Sequence, residues 1–283
     1  MDWLDALTQL RREGSPAVLV TVIKVRGHAP REAGAKMVVG SQHCWGSVGG
    51  GNLEESAIRR ARELIASGSG EPETQIARLN EHARNRHGRQ CCGGEVTLVL
   101  EPMPARPTVA IFGMGHVGYE LARILSRLEL RLELVDSRAD QLEPLRLAEI
   151  TDGAADVTAH HLLLGEQVLE RLPRGAHVLI MSHDHAEDFA LCDAALRLPS
   201  LGTIGLIGSS AKWSGFRRRL AETGHPADVI DRIRCPIGLP TIAGKLPAVI
   251  AVSVAASLLQ TMQQPTSPAV TASPAGDPSG VPS

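Results

Sequence analysis

A three-glycine turn between an apolar strand and a helix constrains this chain more than any other feature. Thr108-Val109-Ala110-Ile111-Phe112 is an unbroken apolar run that leads into Gly113-Met114-Gly115-His116-Val117-Gly118, after which Leu121, Leu125 and Leu128 recur at helical spacing. A second apolar run, Leu132-Glu133-Leu134-Val135, ends in Asp136, 21 residues after Gly115. In such a unit the first glycine makes the tight turn, the second lets a phosphate approach the backbone, and the third packs helix on strand. The acid at the end of the second strand meets a ribose hydroxyl. Strand, turn, helix and acid at this spacing together predict a Rossmann-type unit binding a nucleotide through Gly113, Gly115, Gly118 and Asp136. Two further runs repeat the pattern: His177 to Met181 ends in Ser182-His183-Asp184-His185, and Thr203 to Ile207 ends in Gly208-Ser209-Ser210. Ligands of open parallel sheets lie beyond the C-terminal strand ends, so Ser182 and His183 belong to the expected crevice. Alternate residues of any extended chain share a face, so His183 and His185 read as polar lining rather than as metal ligands.

At 283 residues, 43% of them hydrophobic, the chain is long enough for two globular units. Pro102, Pro104 and Pro107 oppose both helix and central strand and place a boundary there. The expected fold is α/β: a smaller N-terminal α/β unit over residues 1–103, then a Rossmann-like, doubly wound parallel sheet over 108–262. From Gln264 onward proline, serine, alanine and glycine dominate, so 264–283 is expected to be a disordered tail. The apolar stretch from Leu246 to Leu259 is interrupted by Pro247 and two serines and is shorter than the ~20 residues of a membrane span. It reads as a buried helix.

In the first unit Trp3, Leu7 and Leu10 share a face of a helix opened by Asp2 and closed at Gly14. A β-branched strand from Ala17 to Val25 delivers a loop, Gly27-His28-Ala29-Pro30-Arg31-Glu32-Ala33-Gly34-Ala35-Lys36, and Met37-Val38-Val39 is a second, short strand. Gly49, Gly50 and Gly51 then precede Asn52, read as the N-cap of a helix running to about Ala66, with Glu55 completing a capping box. Free N–H groups at such a terminus bind phosphate, and Arg31 and Lys36 add positive charge there. The run Arg86-His87-Gly88-Arg89-Gln90-Cys91-Cys92-Gly93-Gly94 carries adjacent thiols among cations, which favour the thiolate. Neighbouring residues sit only about 3.8 Å apart, too close for an ordinary disulfide. The pair is a sulfur-reactive or soft-ligand corner, or else two small apolar residues packed at a strand start. Cys192 and Cys235 read as packing residues.

A net charge of −2 and only three Trp, one Tyr and three Phe exclude the basic, stacking surfaces that nucleic acid requires. Five cysteines without regular spacing, and a start lacking a basic, apolar leader, lead to the expectation of a reduced, cytoplasmic protein.

The ordered set of motifs now on the page resembles the XdhC/CoxI family of molybdenum cofactor insertion proteins over roughly residues 1–262. The carriers are the 27–37 loop, Val48-Gly49-Gly50-Gly51-Asn52-Leu53-Glu54, Cys91-Cys92-Gly93-Gly94, Phe112 to Gly118, Ser182 to His185, Ile207-Gly208-Ser209 with Lys212-Trp213, and Cys235-Pro236-Ile237-Gly238-Leu239-Pro240. Met114 stands where the family often has alanine, and His28 where it often has a smaller residue. The resemblance implies a carrier that binds molybdenum cofactor, shields it from oxidation, and assists its sulfuration by a cysteine desulfurase. It would hand the cofactor to the molybdenum-binding subunit of xanthine dehydrogenase. It implies a homodimer rather than a catalyst, with Cys91 or Cys92 at the molybdenum end or in sulfur handling. The Rossmann half would hold a nucleotide such as NAD(P) or wall the pterin site. The rival reading is an NAD(P)-dependent oxidoreductase with His183 or His185 as acid or base; a third is a scaffold that docks desulfurase to target.

If the cations around Cys91 and Cys92 lower a thiol pKa, that thiol alkylates faster than Cys192 or Cys235, and bound cofactor protects it. Mass-spectrometric alkylation rates check this; equally slow thiols make the pair core residues.

Overall fold

The computed structural model describes residues 1–79 and 94–263. The first half is built from α1 (Trp3–Glu13), β1 (Ala17–Arg26), β2 (Lys36–Gly40), β3 (Cys44–Gly46), α2 (Gly51–Ser67), β4 (Glu73–Arg78) and β5 (Glu95–Met103). Asp2 caps α1 by accepting the Asp5 N–H at 2.8 Å, and Gly14 closes it in the left-handed conformation, as expected. The five strands form an antiparallel sheet in the order β3-β2-β1-β5-β4. The period of two divides its side chains between two helices. Val18, Val20, Val22, Met37 and Val39 pack with α2, whereas Ala17, Leu19 and Val38 pack with α1.

The second half comprises β6 (Thr108–Phe112), α3 (His116–Leu125), β7 (Arg131–Asp136), α4 (Pro144–Thr151), β8 (Asp156–His161), α5 (Glu166–Leu169), β9 (His177–Ile180), α6 (His185–Leu196), β10 (Ile204–Leu206), α7 (Ser210–Glu222), α8 (Ala227–Ile230), β11 (Ile233–Arg234) and α9 (Pro247–Gln263). Its six strands are parallel in the order β11-β10-β9-β6-β7-β8. The order runs outward both ways from β6, the doubly wound arrangement. Alternation along β6 feeds two cores: Val109 and Ile111 pack with α3, α4 and α9 residues, and Ala110 and Phe112 with residues of α6 and α7. The expected fold class, an N-terminal α/β unit followed by a Rossmann-like sheet, is the one observed.

Two expectations need correction, and three strands carried no sequence signal. The proline-rich stretch does not stop β5, which runs to Met103; Pro102 pairs with Val18 but lies beyond Leu100, the partner of the first β4 residue, Glu73, so β4 asks no ladder bond of it. α9 is covered on one side only, through Ala251, Val254, Ala255 and Leu258, while Val252 is exposed, because it lies outside α3 rather than inside the sheet. β3, β4 and β8 had no clear apolar signature: they form or flank sheet edges, and in β4 the one large apolar residue, Ile76, faces outward. Cys91, Cys92, their cationic neighbours and the 264–283 tail lie outside the described residues. Among the described residues no helix is long and apolar enough to cross a membrane.

Leu98 is fully buried in β5, so Leu98→Ala costs about 2–5 kcal/mol of unfolding free energy. Ile76→Ala, at a side chain 62% exposed, costs less than about 0.5 kcal/mol. Denaturant titration of both variants checks the contrast.

Candidate functional site

The residues singled out in the first sheet gather around the start of α2. Gly49, Gly50 and Gly51 all have positive φ, and Gly50 rather than Asn52 is the N-cap. The capping carboxylate is that of Glu54, not Glu55: its Oε2 accepts the Gly50 N–H at 3.1 Å and the Ser47 hydroxyl at 2.7 Å, and Ser47 Oγ in turn accepts the Gly49 N–H at 3.2 Å. Three consecutive left-handed glycines let the chain turn sharply enough to begin the helix two residues early. The N–H groups of Gly51, Asn52 and Leu53 have no hydrogen-bond partner among the described residues.

Arg31 is exposed in a loop that reaches this turn, since a Cβ on Gly49 would lie 2.6 Å from Cγ of Pro30. Gly94 re-enters β5 against the backbone of Arg26 and His28, where no Cβ would fit. The 27–35 loop, the glycine turn and the point where the chain rejoins the sheet therefore converge. Lys36 does not join them. The register that buries Met37 toward α2 turns Lys36 to the α1 face, where its Nζ donates to Thr21 Oγ1 at 3.0 Å and lies 5.6 Å from the Trp3 ring centre.

The second cluster occupies the C-terminal ends of the parallel strands. Gly113 has φ 105° and Gly118 abuts its carbonyl, so neither position has room for a Cβ, whereas Gly115 is open. Two closed positions flanking an open one are the geometry expected of the three glycines. Asp136 differs from expectation. One carboxylate oxygen accepts the Met114 N–H at 2.6 Å and the Arg138 guanidinium at 2.9 Å; the other accepts the Arg138 amide and Nε, each at 2.9 Å. It holds the turn, and no oxygen is left for a ribose. Burial pushes its carboxyl up, but the bonds from Arg138 and Met114 outweigh this and hold it below the ordinary value.

Ser182 donates its hydroxyl to the Asp184 carbonyl, and Asp184 caps α6 through the Ala186 N–H. His183 is half-exposed, its Nδ1 3.9 Å from Glu187 Oε2. Burial pushes the Glu187 carboxyl up, and the nearby Asp136 charge adds to this. Asp188, one residue on, escaped sequence reasoning. It is fully buried, accepts the Ser182 N–H at 2.9 Å and pairs with Lys212 Nζ at 2.5 Å; Lys212 also donates to the Ile207 carbonyl at 3.1 Å. Its sequence signal is faint, because it follows Glu187 in the first turn of a helix, where exposed acids are common. Cys192 is buried, and burial pushes its thiol far above the ordinary range; Cys235 is half-buried, beside Gly208 and cis to Pro236. Among the described residues no cluster of metal-ligating side chains occurs, and no hydrogen bond or ion pair joins the two site clusters.

Comparison with known proteins places both halves in one family. A model of the XdhC Rossmann domain matches residues 109–258, and a model of the XdhC and CoxI family matches residues 10–76. The chain is 37% identical over 265 residues to the molybdenum cofactor insertion chaperone PaoD of Escherichia coli, covering 80% of this chain and 77% of PaoD. It is 25% identical over 260 residues to the uncharacterized protein YqeB of the same organism, covering 92% of this chain but spanning only 46% of YqeB. A crystal structure from Bacillus halodurans, described as a xanthine dehydrogenase, covers 95% of this chain and 98% of its own at 20% identity and a TM-score of 0.46.

Because the folded Glu187 pKa lies above the unfolded one, its ionisation destabilises the fold near neutrality, and stability is regained as pH falls through the raised value. Glu187→Gln, which cannot ionise, is therefore more stable than wild type at pH 7. That advantage vanishes by about pH 4, where wild-type Glu187 is protonated in both states. Thermal melts of both proteins across this range check the sign.

Proposed function

The chain belongs to the XdhC and CoxI family, and from that premise we propose that it is a molybdenum cofactor insertion chaperone. In this reading it binds the cofactor, protects it, assists its sulfuration with a cysteine desulfurase, and delivers it to the molybdenum-binding subunit of xanthine dehydrogenase. It works as a cytoplasmic homodimer, and its two sheets act as separate units joined at residues 104–107. The name of PaoD supports the cofactor and the insertion role. The observation that carries the reading is the convergence at the first sheet of the 27–35 loop, the Gly49–Gly50–Gly51 turn and Gly94.

The cargo is an anionic pterin with a terminal phosphate and a dithiolene-held metal. Its phosphate is suited to the N–H groups of Gly51, Asn52 and Leu53 at the positive end of α2, with Arg31 in the adjoining loop. The Gly50 N–H is not part of that cradle, because Glu54 already holds it. Cys91 and Cys92 are assigned to the soft end of the cofactor, where thiolates match molybdenum or carry sulfur.

A second reading, an NAD(P)-dependent oxidoreductase, is favoured by the open Gly115 in a well-formed glycine turn. It is disfavoured by the fully engaged carboxylate of Asp136. In the chaperone reading this crevice holds a nucleotide weakly or serves as a wall of the pterin site, and no hydride transfer occurs there.

The test is to purify the protein without oxygen from a cofactor-producing host and assay molybdenum and pterin. Wild type is expected to carry both. Gly50→Val has no atom within 4 Å of its new Cβ but forces a β-branched residue to φ 73°, so it folds and retains cofactor about tenfold less well. Wild type free of molybdenum and pterin, or a folded variant with undiminished retention, overturns the assignment; substrate-dependent reduction of NAD or NADP promotes the second reading.

A further inference from the structure

The outer edge of the parallel sheet is long, and no described strand pairs with its open side. Among the described residues β8 ends the strand order and pairs only with β7. The other edges differ: β3 has three residues and β11 two, short enough to be poor templates, and β4 leads at residue 80 into residues outside the described ones. β8 has six residues, Asp156 to His161, with no proline, lysine or bulge to blunt it.

Its polarity follows from the ladder. The Asp156 N–H donates to Leu130 O at 2.8 Å and the Leu162 N–H to Asp136 O at 3.3 Å. Thr158 and His160, in phase with them, also face β7, so Val157, Ala159 and His161 turn their N–H and C=O groups to the open side. Side chains along the edge are mostly exposed, and the chain continues into Leu163 and Leu164, 80% and 60% exposed. An open strand edge prolonged by apolar surface marks an interaction site.

We propose that this edge pairs with the same edge of a second copy, antiparallel about a two-fold axis at Thr158, so that two parallel sheets join into one continuous sheet. A two-fold contact must be self-complementary, and the charges are. With Thr158 opposite Thr158, each Asp156 carboxylate faces the His160 ring of the other copy in a non-hydrogen-bonded pair, where side chains approach most closely. His160 is fixed for this from its own side, its Nε2 2.7 Å from Glu133 Oε2, which places the ring between two carboxylates. Because the axis repeats every contact, both charge pairs form. The inference rests on the homodimer proposed above and not on the cofactor assignment.

The full chain is tested by light scattering and by cross-linking. Wild type is expected to be dimeric. In Thr158→Cys the two new thiols oppose each other with Cα atoms about 4.5 Å apart, within disulfide range. Mild oxidation then yields a covalent dimer linked at position 158, a cross-link absent from oxidised wild type and with no counterpart at position 159 in Ala159→Cys. Ala159→Pro removes an outward N–H that β7 does not use, so the variant keeps its fold while its self-association weakens about tenfold or more. A monomeric wild type overturns both the dimer and its surface. A dimeric wild type whose Ala159→Pro variant stays equally dimeric, or in which Thr158→Cys fails to cross-link, overturns the surface alone and leaves the dimer standing.

Discussion

The buried carboxylate of Asp136 ties the second half of the molecule together. Only 2% of it is exposed, yet it carries charge because four N–H groups converge on it: the Met114 amide in the glycine turn, and the amide and two guanidinium nitrogens of Arg138. Unpaired, such a charge would cost several kcal/mol. Paired, it welds the turn after β6 to the end of β7, which fixes the position of α3 and the floor of the crevice. Gly113 and Gly118 are required by the same geometry, since the turn is drawn so close to Met181 and to its own helix that no Cβ fits.

The first sheet uses the same device on an unrelated scaffold. There Glu54 takes one amide of the glycine turn before α2, with Ser47 bridging. Both phosphate-like turns therefore hold a carboxylate of their own at one amide and leave neighbouring amides open. In the proposed reading an arriving anion would meet a preformed cradle but also a resident negative charge beside it, so the cations that offset that charge would decide affinity. Arg138 does so at one turn, with its guanidinium 4.0 Å from where a Gly115 Cβ would be. Arg31, exposed in the loop against Gly49, is the candidate at the other.

How much of this was legible in the sequence depended on whether a residue's partner was local. The Rossmann turn, the Asp2 and Gly14 caps and the strand from Ala17 were readable because neighbours within a few residues dictate them. Lys36 was misplaced because its direction is set by strand register: one residue from Met37, it points to the opposite face. Glu54 and Glu55 were confused because the helix starts at Gly51, a consequence of three positive φ angles that residue type permits but does not announce. Asp136 was correctly placed at the strand end and misread in role, because Arg138, two residues on, claims the oxygens that a ribose would need.

The Asp188 and Lys212 pair shows what such non-local partners do. Twenty-four residues separate them, and a buried ion pair is by itself poor evidence of stabilisation. Each partner, however, also bonds to backbone at a strand end, Asp188 to the Ser182 N–H and Lys212 to the Ile207 carbonyl. The pair thus clamps the exits of β9 and β10 together beside the turn that Asp136 holds after β6. The crevice floor is fastened at three adjacent strand ends by carboxylates that are already fully engaged. Adaptability in this half is left to the groups above that floor, His183 and Glu187, whose contacts at 3.9 Å and 3.5 Å are loose enough to be exchanged for those of a ligand.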